Sequence, residues 1–263
     1  MAESPFTFRI APPEGGGPWR VLQITDTHLL AEPGGERRGA RPLARLERAM
    51  AHARRNHWPP HLILATGDLA HDGRRESYDL LLRTLAFRPT VAVAGNHDLP
   101  WPLRERLAAH GQPLARHLLL GDAWQVILLE SRMTGRIEGA LDAPQLEWLR
   151  VLLTRHRQPA LLVIHHPPFA VGSAWLDAIA LSGHRDLLEC IAPFPQVEAI
   201  VAGHVHQPWD EERGGLRLLA SPATWLQFRP NQREFQLDDR PPGYRWLELG
   251  QDDRLATGIE YAE

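Results

Sequence analysis

Short, largely apolar runs alternate along the chain with stretches in which apolar residues recur every three or four positions. The runs fall at 20–24, 61–65, 90–94, 118–120, 124–129, 160–164 and 197–202. Runs of this length, bounded by polar or turn-forming residues, predict strands buried on both faces. Between them, Leu43, Leu46, Met50 and Ala53 share one face of a predicted helix. Further helices are expected over 77–86 and 144–153, the latter with Pro144 in its first turn, where proline is tolerated. Shorter ones carry Leu103 with Leu107, and residues 186–191. Alternation of strand and helix predicts a layered α/β sandwich. From Leu216 the pattern turns to strand after strand, at 216–219, 225–228, 244–249 and 254–261, and this block is expected to form the second sheet.

Five of the strands run straight into groups that can bind a cation. The first ends in Asp26-Thr27-His28, the second in Gly67-Asp68, the third in Gly95-Asn96-His97-Asp98. The 160–164 strand delivers His165-His166-Pro167-Pro168, and the 197–202 strand delivers Gly203-His204-Val205-His206. Any one of these alone reads equally well as a polar turn. Ligands of open α/β sheets, however, bind outside the carboxyl ends of the strands, so five such ends in succession are expected to converge. A spacing of two in extended backbone would put Asp26 and His28, and likewise His204 and His206, on one side. In the third motif Asn96 can offer an amide oxygen, His97 can move a proton, and Asp98 can hold the imidazole in one tautomer. The donors are too many for one ion and suit two, with Asp68 as the natural bridge and first-row metals such as Mn, Fe, Co or Zn as occupants. His71 and Asp72 read as loop residues beside the Asp72-Gly73 turn, with a lesser possibility that they support the ligands from behind.

Composition narrows the chemistry. The 263 residues suit one large domain, expected over 19–263, preceded by a partly ordered tail over 1–18 that has the pattern of neither a secretory signal nor an anchor. Twenty-nine basic residues against 32 acidic give a net charge of −3, so no global field gathers nucleic acid or lipid. Every strong base is arginine, which excludes a Schiff-base lysine and a Walker-type phosphate loop. Cys190 is the only cysteine and reads as a small buried side chain, so neither a disulfide framework nor a sulfur-rich metal site is available, and a reducing cytoplasm fits best. No apolar stretch is long enough to span a bilayer.

In order, Asp-x-His, Gly-Asp, Gly-Asn-His-Asp, His-x-Pro and Gly-His-x-His resemble the binuclear metallophosphoesterases of the calcineurin-like superfamily. Residues 23–29, 173–177, 203–207 and 218–228 look more closely like the bacterial class III 3′,5′-cyclic-AMP phosphodiesterases, the CpdA-like group, in a match running from about Arg20 to Leu249. The resemblance implies a four-layer αββα sandwich of two mixed sheets. It implies that Asp26, His28, Asp68 and His206 hold one metal, and that Asp68, Asn96, His165 and His204 hold the other, with His165 rather than His166 as the ligand. Two first-row ions are implied, iron or manganese, with zinc or cobalt as alternatives. His97 would contact the phosphate and assist the leaving oxygen, oriented by Asp98, while His28, Asp68, Asn96 and His206 also border the substrate. The reaction implied is hydrolysis of 3′,5′-cyclic AMP to 5′-AMP by a metal-bridging hydroxide.

Two departures touch the pocket wall and so substrate preference: Ala94 stands where proline is frequent, and Trp225 where smaller residues are common. Trp175, Leu176, Phe169 and Phe228 are candidates for that wall. The same centre would serve another small phosphoester, such as a glycerophosphodiester or a 2′,3′-cyclic nucleotide, and a non-catalytic interaction module on the same fold is the alternative from a different class. The expected partner is a small cyclic nucleotide, with no nucleic-acid polymer and no membrane, and a monomer is preferred over a homodimer.

Overall fold

A computed structural model of the chain describes residues 7–85, 89–252 and 254–263. In chain order the first half contains β1 (Thr7–Ile10), β2 (Trp19–Ile24), α1 (Pro42–Asn56), β3 (Leu62–Ala65), α2 (Arg75–Leu85), β4 (Thr90–Ala92), α3 (Pro100–Ala109), β5 (His117–Leu120) and β6 (Trp124–Leu128). The middle contains β7 (Gly139–Ala140), α4 (Ala143–Arg155), β8 (Ala160–Ile164), α5 (Ala174–Asp177), β9 (Leu181–Ser182), α6 (His184–Ile191) and β10 (Val197–Ala202). The last part is all strand: β11 (Trp209–Arg213), β12 (Leu216–Ala220), β13 (Gln227–Phe228), β14 (Leu237–Asp238), β15 (Gly243–Leu249) and β16 (Leu255–Tyr261).

Successive side chains of a strand point to opposite faces, and here each face has its own apolar partner. Leu22, Ile24, Ile63 and Ala65 face outward onto Leu46 and Met50 of α1, Leu81 of α2 and Leu103 of α3. Their neighbours Val21, Leu62 and Leu64 face inward, against Val126, Leu161, Val163, Ala199 and Val201. On the far side Leu162, Ile164, Ile200 and Ala202 meet Leu149 and Leu153 of α4 and Leu187 of α6. The result is four layers, helix, sheet, sheet, helix. Both main sheets are mixed: one has order β16-β15-β2-β3-β4, the other β1-β5-β6-β8-β10-β12-β11. The four layers and two mixed sheets are those of the expected αββα sandwich.

The late strands are distributed differently from the expectation that they form a sheet of their own. Residues 216–220 extend the second sheet beside β10 in parallel. β15 instead pairs antiparallel with β2, and β16 with β15, so both complete the first sheet. Of 225–228 only Gln227–Phe228 is strand, paired with Leu237–Asp238 in a separate two-stranded ribbon. Apolar periodicity reports a strand but not its partner, because pairing is decided by residues far away in the chain. The two sheets are tied by buried Arg245 of β15, whose guanidinium donates to the Trp209 and Ala220 carbonyls of the other sheet at 2.9 and 2.8 Å. Within the segment 1–18, Thr7–Ile10 pairs with His117–Leu120, and residues 1–6 lie outside the described residues, as does Ala86 at the end of the expected 77–86 helix.

Register then sets the site. Ile24 lies opposite Ala65, and Ile164 opposite Ala202. The polar groups that follow these residues therefore leave the two sheets at the same end.

Candidate metal centre

The exits of β2 and β3 run side by side. Asp26 N–H donates to the Gly67 carbonyl at 2.9 Å, and His28 N–H to the Asp68 carbonyl at 2.9 Å. Neither Asp-x-His nor His-x-His is extended, contrary to the geometry expected of their spacing: φ is 51° at Asp26, 44° at His28, 50° at Asp68, 70° at His204 and 49° at His206. Left-handed backbone costs a non-glycine residue roughly 1–2 kcal/mol. Such strain persists where surrounding contacts over-determine it, and it concentrates at functional sites. Glycines supply the remaining room. A Cβ on Gly95 would land on the Asp68 carboxylate, one on Gly67 on the His165 ring, and one on Gly203 would stand 2.7 Å from the Thr66 carbonyl.

All seven expected ligands are brought together. Asp26 Oδ1 is 3.2 Å from His206 Nε2, which is 3.3 Å from His28 Nε2. Asp68 divides its carboxylate, with Oδ2 3.7 Å from His28 Nε2 and Oδ1 3.6 Å from His165 Nε2. Asp26 Oδ1, Asn96 Oδ1, His165 Nε2 and His204 Nε2 are buried without a hydrogen-bond partner. Leaving such an atom unpaired costs about 1–3 kcal/mol, so four together call for a ligand.

The outer atoms of the same side chains are taken. His165 Nδ1 donates to the Thr66 carbonyl at 2.8 Å, and His206 Nδ1 to the Leu226 carbonyl at 2.6 Å. The His204 ring faces the backbone of Ile179. Asp26 Oδ2 accepts from the Thr25 hydroxyl at 2.7 Å and from His204 N–H at 3.0 Å. Metal-binding histidines commonly donate their second nitrogen in this way, which turns the other lone pair inward. Burial, reinforced by neighbouring imidazoles, holds His28 and His204 well below the usual imidazole range, in the neutral form that binds metal. Burial raises Asp26, but His206, His165 and the Thr25 hydroxyl together more than offset it and keep the carboxyl below its ordinary value. The donor set of carboxylate, amide and imidazole thus fits cations, and Asp26, His28 and His206 on one side and Asp26, Asp68 and His165 on another bring their atoms within 4.8 Å of one another.

Asp98 has a different job from the one expected. Its carboxylate accepts from Ala70 N–H at 2.9 Å, Gly95 N–H at 2.8 Å and the Tyr78 hydroxyl at 3.1 Å, and it locks the Asp68 loop to the Gly95 turn. The group facing His97 Nδ1 is the His71 carbonyl, at 3.1 Å. His166 lies beside His165 and His204, its ring 4.7 Å from that of His204, but both its nitrogens are taken: Nδ1 accepts from Ser131 Oγ at 2.8 Å and Nε2 donates to the Ile137 carbonyl at 2.9 Å.

A cavity of about 320 Å³ opens over the centre. His28, Asp68, Asn96, His97, His204 and His206 form its floor, Trp175, Leu176, Trp225, Phe228 and Phe235 its wall, and Arg37 and Arg38 its rim. Phe228 stacks on the His206 ring at 3.9 Å and meets Trp175 edge-on at 5.1 Å. Phe169 is not part of this wall: it is buried in the core and stacks on Trp209. Phe235, Arg37, Arg38 and a full view of His71 escaped sequence reasoning, because they sit on loops whose path no periodicity reports; the Gly-rich 33–39 loop was the one available signal. His71 also borders the cavity, its pKa pushed down to about 4 by burial, then by His97 and Arg37.

Fold and donor set together define a metal-dependent phosphoesterase. Residues 20–208 match the calcineurin-like phosphoesterases, and the chain belongs to that family, whose members use a binuclear divalent metal centre. It is 40% identical over 242 residues to the 3′,5′-cyclic adenosine monophosphate phosphodiesterase CpdA of Pseudomonas aeruginosa, spanning 91% of this chain and 88% of that one. Identity to CpdA of Escherichia coli (strain K12) is 38% over 243 residues, spanning 91% and 88%. A dimetal phosphatase from Danio rerio shares the fold, with a TM-score of 0.62 at 16% identity, covering 94% of this chain and 100% of that one.

Proposed function

We propose that this protein hydrolyses 3′,5′-cyclic AMP to 5′-AMP at a centre of two metal ions. The observation that carries the reading is the set of four buried, unpartnered donor atoms on Asp26, Asn96, His165 and His204, lying beneath an aromatic-walled cavity. Asp26, His28, Asp68 and His206 would hold one ion, and Asp68, Asn96, His165 and His204 the other. The divided approach of the Asp68 oxygens to His28 and His165 supports its role as the bridge. Iron or manganese suits these mixed nitrogen and oxygen donors, with zinc or cobalt as alternatives. When bound, the pair supplies Lewis acidity toward phosphoryl oxygens and activates a water for in-line attack.

The chain's own residues complete the reaction. Nδ1 of His97 is anchored on the His71 carbonyl, which leaves Nε2 to deliver a proton to the 3′ oxygen as its bond to phosphorus breaks and the new P–O bond forms. Flat aromatic surfaces at Trp175 and Phe228 suit a purine, and stacking of this kind is worth about 1–3 kcal/mol per base. Arg37 and Arg38 place positive charge at the rim of an otherwise acidic protein, which favours an anionic substrate. No helix among the described residues is long and apolar enough to cross a membrane. A small nucleotide is the partner in this reading, and the single cysteine accords with a reducing cytoplasm.

Side-by-side turnover of 3′,5′-cyclic AMP, 3′,5′-cyclic GMP, 2′,3′-cyclic AMP and bis(p-nitrophenyl) phosphate with added manganese tests the reading. The expected result is the highest kcat/KM for 3′,5′-cyclic AMP. A clear preference for a non-cyclic ester overturns the substrate, and no hydrolysis of any by metal-loaded protein overturns the enzyme.

A further inference from the structure

Two of the four histidines at the centre, His165 and His206, donate their outer nitrogen to backbone carbonyls, at Thr66 and Leu226, and the His204 ring faces the backbone of Ile179. His28 is the exception. Its Nε2 converges with His206 Nε2 on the centre, and its Nδ1 faces Nδ1 of His71 at 3.4 Å. The His71 backbone is pinned to the same exit loop, since its N–H donates to the Leu29 carbonyl at 2.9 Å. A parallel bridge between Leu29 and Ala70 fixes the register of the two segments. The His71 carbonyl in turn holds His97.

A metal on His28 Nε2 requires the ring proton on Nδ1, and that proton needs an acceptor in a site where most polar atoms are already committed. The only side chain offering one at hydrogen-bond distance among the described residues is His71. We infer that His71 is a positioning residue: its Nδ1 lone pair accepts from His28 Nδ1–H and so directs His28 Nε2 to the metal, while its carbonyl directs His97 to the substrate. The inference rests on the assignment of His28 as a metal ligand. It gives the two ions unequal dependence on a side chain, because among the described residues no ligand side chain of the other ion donates a hydrogen bond to a side-chain acceptor, His165 donating to the Thr66 carbonyl. Backbone carbonyls cannot be lost by substitution, whereas the His71 ring can.

Manganese binding to the metal-stripped full-length chain, followed calorimetrically for wild type, His71→Ala and His71→Asn, tests it. Asparagine places its side-chain oxygen near the position of histidine Nδ1 and so keeps the acceptor. Wild type is expected to bind two ions. Loss of an outer partner weakens a metal site by about 10–100-fold, so His71→Ala should weaken one of the two ions by that factor and leave the other nearly unchanged, and His71→Asn should restore most of the loss. In zinc-loaded wild type, nitrogen NMR should show His28 protonated at Nδ1. Wild-type affinity for both ions in His71→Ala overturns the role of His71 alone, as does equal weakening by alanine and asparagine, which marks a volume effect. Wild type that binds fewer than two ions overturns the reading of the centre, and the His71 role with it.

Discussion

His97 meets the pocket with its Nδ1 held 3.1 Å from the His71 carbonyl and its backbone N–H donating to Asp68 Oδ1 at 2.8 Å. The residue is thus coupled to the ligand cluster through its backbone while its ring stays available to the substrate. Replacing the ring should remove proton transfer and leave the ligands in place. His97→Ala is expected to lower kcat by about 10²–10⁴-fold, the usual worth of general acid catalysis, with unchanged metal content by elemental analysis. Loss of metal in that variant would move His97 into the ligand set. The residue types at the centre were legible in the sequence because each follows its own strand directly. Their backbone was not: Asp-x-His and His-x-His converge through left-handed turns at Asp26, His28, His204 and His206. Nor was the partner of Asp98, because an aspartate beside a histidine says nothing of the Ala70 and Gly95 amides that arrive from other segments.

At the scale of elements, strands and helices were readable where burial on one or both faces imposes a period. The pairing of β12 with β10 and of β15 with β2 was not, since it joins segments from opposite ends of the chain. Strand exits also carry charge into covered places. Glu130, just after β6, accepts from Arg132 N–H at 3.2 Å, and burial raises its pKa from 4.5 to about 6. A carboxyl raised on folding binds its proton more tightly in the folded than in the unfolded chain. Its contribution to stability is therefore full below about pH 4.5 and lost as pH rises through about 6. Glu130→Gln removes that titration while keeping an acceptor for Arg132. Unfolding of both proteins by denaturant across this window should show the variant gaining stability relative to wild type as pH rises from 4.5 to 6. A constant difference between the two would mean that Glu130 titrates normally.

For the whole molecule, two sheets with aligned ends place segments some 180 residues apart in sequence, such as Asp26 and His204, within hydrogen-bonding distance. Net charge contributes little, and the chemistry depends on local arrangement: orphaned donors below, aromatic rings beside, arginines at the rim. The central claim is that this arrangement holds two ions through Asp68. Metal content per chain, measured on wild type and on Asp68→Ala purified without chelators and loaded under the same conditions, tests it most directly. Wild type should carry two first-row ions per chain and Asp68→Ala fewer than one. An Asp68→Ala protein that keeps both ions would contradict the account.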